Sequence, residues 1–324
     1  MDRIAFISGE LFIYWSSIIL TLAVAAACCM YLSLYVGRKD GSFFTGVVTL
    51  PLAMVLSLVF ARFLHWYCRA DSYDSLGAAL TNYASGGYAL LGVFAGCFLT
   101  AVILRVLGQS KSLPGMLDCM TLAGGVGISV GRLASFYNAS SRGQIVAGLT
   151  KLPWVYPVTN AVSGQLEYRL ATFLFQSVIT GVIVVMLLLF YLFSRKRKNG
   201  DVCVLFLLCY GAAQVVLDST RYDSLFFRSN GFVSIVQVMG AVAIGLSAIY
   251  LSLRMLWVRG LRWTDLIRWL SIAAFMGVAG YMEYHVQRHG DQALFAYSVM
   301  SVCIVAIITS VLLIYKEVLR GENE

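Results

Sequence analysis

Long apolar runs separated by short polar breaks dominate the chain, and they define its elements. Nine runs are long enough to be spans, at roughly 11–36, 46–66, 86–107, 115–137, 170–193, 202–220, 232–257, 266–283 and 292–315. A helix needs about 20 mainly apolar residues to cross a bilayer, because its backbone groups must be satisfied internally once water is gone. The pattern predicts an all-α, polytopic integral membrane protein with about nine transmembrane helices. The fourth run is the weakest, since small residues dilute it and Arg132 interrupts it. The first is too long for the apolar core of a signal peptide, and Asp2, Arg3 and Glu10 precede it, so it reads as a span.

Composition agrees with this pattern. Of 324 residues, 60% are hydrophobic and 12% charged, and the mean hydropathy is +0.80. A soluble domain carries about 25% charged residues, so the solvent here is lipid. The net charge of +8 does not point to nucleic acid, because the basic residues gather at the ends of apolar runs. Clusters at Arg38 and Lys39, Arg105 and Lys111, and Arg195 to Lys198 fall on alternate breaks, as do Arg254 to Arg268, then Lys316 and Arg320. Short basic loops are retained in the cytoplasm, so the N-terminus is expected outside and the C-terminus inside. Seven of the eight cysteines lie within or at the start of apolar runs as small hydrophobes, and no CxxC occurs. His285 and His289 stand four residues apart but lack an evident third ligand, so neither a metal nor a cofactor is expected.

Ionisable residues inside a span cost about 2.5–3.5 kcal/mol each on insertion and so call for a partner, a cavity or a function. Arg132 follows Gly124, Gly127 and Gly131, whose spacing puts them on one helical face. This is either a packing seam with a snorkelling arginine or the wall of a site. Gln214, Asp218 and Arg221 share one face of the sixth run. They pair at the membrane boundary, or converge with Arg132 on an anionic headgroup, for which a guanidinium fork is well shaped. Gly86, Gly87, Gly92 and Gly96 suggest a second seam. His65, near Asp71 and Asp74, reads as an interface histidine more readily than as a base. The polar break from 138 to 169 contains Trp154 and Tyr156, suited to a gate or rim, or equally to an aromatic belt.

Taken in order, these segments resemble a family. Gly131, Arg132, Phe136, Asn138 and Gly143 resemble the signature G-R-x-G-N-F-x-N-x-E-x-x-G of the prolipoprotein diacylglyceryl transferases. Asp118 resembles the aspartate at the helix entry upstream, and Ala61, Arg62 and Trp66 the family's second span. Tyr210, Gly211 and Arg221 resemble Y-G-x-x-R-x-x-x-E-x-x-R, with Asp218 for the glutamate, and SIVQ at 234–237 resembles the family's S-x-G-Q run, with Gln237 retained. The likeness covers about residues 11–257. It implies a transferase-like membrane domain over 1–260 and, over 261–324, two additional helices with a short tail.

Family members take phosphatidylglycerol from the bacterial plasma membrane and transfer its diacylglyceryl group to the lipobox cysteine of a preprolipoprotein. The resemblance implies catalytic roles for Arg132, Asp218 and Arg221, and substrate contacts for Ser135, Asn138, Gly143, Arg62 and Gln237. The sequence also departs from the pattern. The histidine of an H-G-G motif falls on Leu91, and the signature's asparagine and glutamate are Ser135 and Ser140. The first arginine of the sixth-span pattern is Gln214, the glutamate of the fifth-span motif is Gln176, and an early tyrosine is Ser16. Two functions are therefore expected: a transferase whose arginines hold the lipid phosphate, or an impaired relative that binds phospholipid or lipoprotein as a regulator or scaffold. A transporter fits less well, since no inverted repeat is visible.

Overall fold

The computed structural model describes residues 4–8, 11–82, 86–138, 142–146, 153–159, 164–194, 196–228, 230–289 and 292–321. Ser140, Lys151, Leu152, Arg195 and the side chain of His289 lie outside the described residues. The helices are α1 (Trp15–Val36), α2 (Phe43–Cys68), α3 (Leu76–Thr81), α4 (Leu90–Val106) and α5 (Leu113–Arg132). They continue as α6 (Thr172–Phe193), α7 (Asp201–Ser219), α8 (Ile235–Arg259), α9 (Trp263–His289) and α10 (Ala293–Gly321). Three two-stranded antiparallel pairs accompany them: β1 (Ile4–Ser8) with β2 (Leu11–Tyr14) ahead of α1, β3 (Val155–Thr159) with β4 (Leu166–Leu170) before α6, and β5 (Phe226–Phe227) with β6 (Asn230–Ser234) between α7 and α8.

The protein is an all-α polytopic membrane protein. Seven helices (α1, α2, α5, α6, α7, α8 and α10) are long and apolar enough to cross a bilayer. Of the other two expected spans, α4 is apolar but has only 17 residues. α9 has 27 residues, but Asp265, Arg268 and Glu283 dilute its apolar character. Two run boundaries also differ from the expected ones. Residues 11–14 pair with β1 rather than beginning the first helix, and α5, the helix of the fourth run, stops at Arg132, followed by a single 3₁₀ turn over Leu133–Phe136.

α6 shows how the bundle sorts its side chains. Val178, Val182, Val185 and Leu189 are exposed at three- and four-residue spacing, whereas Thr172, Gln176 and Thr180 are buried. In lipid the hydrocarbon surface faces outward at no cost, and polar groups retreat to where other helices can bond them.

Glycines set the close crossings, though not all those the spacing suggested. A Cβ on Gly92 would lie 2.3 Å from the Phe60 carbonyl oxygen, and one on Gly96 2.4 Å from the Ser57 nitrogen, so α2 and α4 touch backbone to backbone. Gly86 and Gly87 are outside that seam, in the loop before α4, with positive φ. Gly127 and Gly131 face Ala23 and Ala27 or Leu20 of α1, but Gly124 faces open space.

At the end of the bundle opposite Arg132, carboxylates hold the connections, and two of them, Asp118 and Asp265, are buried. Asp118 of α5 accepts from the backbone N–H groups of Gly200 (2.7 Å) and Cys203 (2.9 Å), so it caps α7 from a different helix. Arg38 pairs with Asp40 at 2.9 Å, and Arg259 with Asp265 at 2.7 Å.

Candidate functional site

α7 provides the frame. Tyr210, Gln214 and Asp218 recur every four residues on one face, and all three are buried. Asp218 is the hub: its Oδ1 accepts from Arg221 Nη1 at 3.0 Å, and its Oδ2 accepts from the Ser234 hydroxyl. Its backbone carbonyl accepts from Ser224 Oγ at 3.0 Å and from Arg221 N at 3.1 Å. Arg221 also donates from Nε to Asp223 Oδ1 at 3.1 Å, so two aspartates bracket its guanidinium.

Arg132 approaches from the last turn of α5. It donates to the Tyr210 hydroxyl and lies within electrostatic range of Asp218 and Arg221. The structure thus brings together Arg132, Asp218 and Arg221, contributed from α5, from α7 and from just past its end. Two guanidinium groups, from Arg132 and Arg221, thus meet beside Asp218, while Asp223 holds the far side of Arg221; a guanidinium fork is the group best shaped for an oxyanion.

Gly143 and Gln237 act one step back from this cluster. Residues 142–146 run as a strand between β4 and the segment after α7. Gly143 bridges Arg221, Gln144 N donates to Thr220 O at 3.0 Å, and Gly143 N donates to Leu170 O at 3.0 Å. A Cβ on Gly143 would lie 2.4 Å from Leu170 O, so no side chain fits. Gln237 forms a capping box with Ser234: Gln237 N donates to Ser234 Oγ at 3.1 Å, and Ser234 N donates to Gln237 Oε1 at 3.0 Å. That box aims the Ser234 hydroxyl at Asp218. Sequence reasoning did not assign Ser234 or Tyr210 to the site, although the S-x-x-Q spacing is a signal for the box.

Ser135 is buried in the 3₁₀ turn and Asn138 is exposed just beyond it. Arg62 belongs to a different knot, at the loop end of α2. Its guanidinium donates to the carbonyls of Ala79 (2.7 Å), Asn82 (2.7 Å), Gly86 and Gly87 (3.0 Å), and lies over the rings of Tyr73 and Tyr88. His65 shares this knot, accepting from or donating to Tyr73 Oη at 2.8 Å. These contacts make Arg62 an organiser of the α2–α4 loop.

Two departures from the family pattern turn out to be neighbours. Gln176 of α6 donates from Nε2 to Gln214 Oε1 at 3.2 Å, and both residues are buried. Where the pattern carries a glutamate and an arginine, this chain carries a bonded amide pair, so the charge of the site is unchanged. Gln176 Oε1 and Gln214 Nε2 find no partner among the described residues. Replacing one glutamine by an apolar residue therefore strands the other, whereas replacing both removes the two unsatisfied amide atoms together. The double variant Gln176→Leu/Gln214→Met is expected to be more stable than Gln214→Met alone by about 1–2 kcal/mol. Thermal unfolding in detergent checks this, and equal or lower stability of the double variant would show that the two amides are not coupled.

An apolar groove of about 280 Å³ begins one residue past Arg132. Ile19 of α1, Leu133 and Phe136 of the 3₁₀ turn, Tyr156 of β3, and Phe173 and Leu174 of α6 line it. Leu133, Phe136 and Leu174 are themselves exposed, so the groove opens at the surface of the bundle. The Tyr156 hydroxyl has no partner among the described residues, and burial pushes its phenol above the usual range, so it remains a donor at neutral pH.

The family profile described as prolipoprotein diacylglyceryl transferase matches residues 3–252. The chain belongs to this family. Three bacterial relatives carry the name phosphatidylglycerol–prolipoprotein diacylglyceryl transferase. The protein from Finegoldia magna is 28% identical over 75% of this chain and 94% of its own length. That from Clostridioides difficile is 23% identical over 78% and 96%, and that from Streptococcus pyogenes 26% identical over 77% and 94%. In family terms, the Arg132 cluster is contributed by the signature segment and the sixth-span pattern, and α9 and α10 lie beyond the matched residues.

Proposed function

We propose that this protein is a phosphatidylglycerol–prolipoprotein diacylglyceryl transferase. The convergence of Arg132, Asp218 and Arg221 beside an apolar groove carries this reading. Arg132 and Arg221 hold the lipid phosphate, Asp218 keeps Arg221 oriented, and Ser135 and Asn138 hydrogen-bond the headgroup. The groove takes an acyl chain, with Tyr156 as a donor to its ester carbonyl.

In the transfer, the sulfur of the lipobox cysteine attacks the glyceryl carbon that bears the phosphate. A carbon–sulfur bond forms and the carbon–oxygen bond to phosphate breaks. Glycerol phosphate leaves, and the thiol proton passes to the leaving phosphate or to water. Charge builds on the phosphate oxygens as the bond breaks, so fixed guanidinium groups stabilise the transition state more than the bound lipid.

The family relatives and the basic clusters support a place in the bacterial plasma membrane, with the N-terminus outside and the C-terminus cytoplasmic. Residues 1–260 then form the transferase domain and 261–324 an appended pair of helices.

Purified protein, phosphatidylglycerol and a lipobox peptide are expected to release glycerol phosphate. No release above background, where a complete family member works, would overturn the enzyme reading. Lipid or peptide binding without release would then favour a regulator or scaffold.

A further inference from the structure

The helices beyond the family match have no assigned role, yet α10 reaches the site helix at both of its ends. Tyr315 Oη donates to Asp201 Oδ2 at 2.7 Å, and Asp201 is the first residue of α7. Tyr297 Oη donates to the carbonyl of Ser219 at 3.3 Å, and Ser219 is the last residue of α7. Tyr297 and Tyr315 are 18 residues apart, as are Asp201 and Ser219. Eighteen residues make five full helical turns and rise about 27 Å. Both tyrosines therefore lie on one face of α10, both acceptors on one face of α7, and the two antiparallel helices match in length. Between the tyrosines, Met300, Ile304, Ile307, Val311 and Ile314 are buried at three- and four-residue spacing.

The contact at Ser219 falls on the joint that leads into the site. Gln144 Nε2 also donates to the Ser219 carbonyl, at 3.3 Å, and Tyr297 is hydrogen-bonded to Gln144. The backbone of Gln144 donates to Thr220, and the next residue is Arg221. One hydroxyl from α10 thus ties the end of α7 to the strand that flanks Arg221.

We propose that α10 is a strut that holds α7 in place, and that Tyr297 is a positioning residue for Arg221. This rests on the reading of Arg132, Asp218 and Arg221 as a phosphate clamp. Arg221 is placed by the backbone it leaves from, so loosening the Ser219 joint lets its guanidinium drift from the phosphate position while the rest of the bundle stays packed.

The test uses the full-length protein in nanodiscs, with Tyr297→Phe, which removes only the hydroxyl, and Ile307→Val as a packing control on the same helix. Hydrogen exchange of the amides at 219–222 is expected to rise about fivefold in Tyr297→Phe and to stay unchanged in Ile307→Val. Affinity for phosphatidylglycerol relative to diacylglycerol, which lacks the phosphate, is expected to fall about three- to tenfold in Tyr297→Phe. General destabilisation would move both lipids together and leave that ratio alone. Unchanged exchange at 219–222 overturns the strut. Raised exchange with an unchanged lipid ratio overturns the positioning role. If the wild type shows no preference for phosphatidylglycerol, the phosphate clamp fails and the positioning role with it, while the exchange result still decides the strut. Tyr315→Phe gives a second variant, expected to raise exchange near Asp201, and no rise there also overturns the strut.

Discussion

Arg132→Ala is expected to cut glycerol phosphate release by about 100- to 1,000-fold, the usual effect of removing one preorganised charge-stabilising donor. The side chain projects from the end of α5 onto the Tyr210 hydroxyl and toward Asp218 and Arg221. Its loss leaves Asp218 still paired with Arg221 at 3.0 Å, so the fold around the site should persist. The deficit should therefore appear in turnover and lipid affinity, with little change in melting temperature. Arg132→Lys keeps the charge but loses the planar fork and should recover only part of the activity. The measurement is release of labelled glycerol phosphate alongside thermal unfolding. If Arg132→Ala binds phosphatidylglycerol as well as the wild type does, the phosphate pocket is elsewhere.

The second large effect is expected at a residue with no chemistry of its own. In Gly143→Ala the new methyl would lie 2.4 Å from the Leu170 carbonyl oxygen, 2.6 Å from Leu170 Cβ and 2.7 Å from Thr172 Oγ1. The nearest of these is a backbone atom, and it cannot swing aside as a side chain would. The strand must shift, and the strand bridges Arg221. A displacement of about 1 Å at a positioning group can cost about 100-fold in rate. Stability should fall more modestly, by about 1–3 kcal/mol, the cost of overpacking. Gly124→Ala is the matched control: it sits in α5 with nothing within 4 Å of a new Cβ. It should be neutral or slightly stabilising, because alanine favours a helix by up to about 1 kcal/mol over glycine. Activity and unfolding measured on both variants decide the matter. Wild-type activity in Gly143→Ala would show that this strand does not place Arg221.

Much of the architecture was legible in the sequence because lipid leaves few options. An apolar run of sufficient length has to close its own backbone hydrogen bonds, and a helix does that within one segment. The seven long apolar helices follow directly from the runs. The cluster was also legible in part. Spacing put Gln214, Asp218 and Arg221 on one helical face, although α7 ends at Ser219 and Arg221 lies just past it, and Arg132 stood out as a residue held at an energetic cost.

Tertiary structure alone decided the rest, since those features join residues that no local pattern relates. Gln176 and Gln214 read separately as two losses, but they are partners across 38 positions. Asp118 caps a helix that starts 83 residues later, as its bonds to Gly200 and Cys203 show. Arg62, which resembled a substrate contact, spends its donors on loop carbonyls. The 142–146 strand has no alternating apolar pattern, and its place beside Arg221 depends on β4 and the end of α7. Helices are specified within one segment, so the sequence by itself determined the seven long apolar spans and placed Arg132, Gln214 and Asp218 in them, while the two weaker runs became the short α4 and the more polar α9. Which of those charges meet depends on how the helices cross and where glycines let backbones touch, and only the packed bundle decides that.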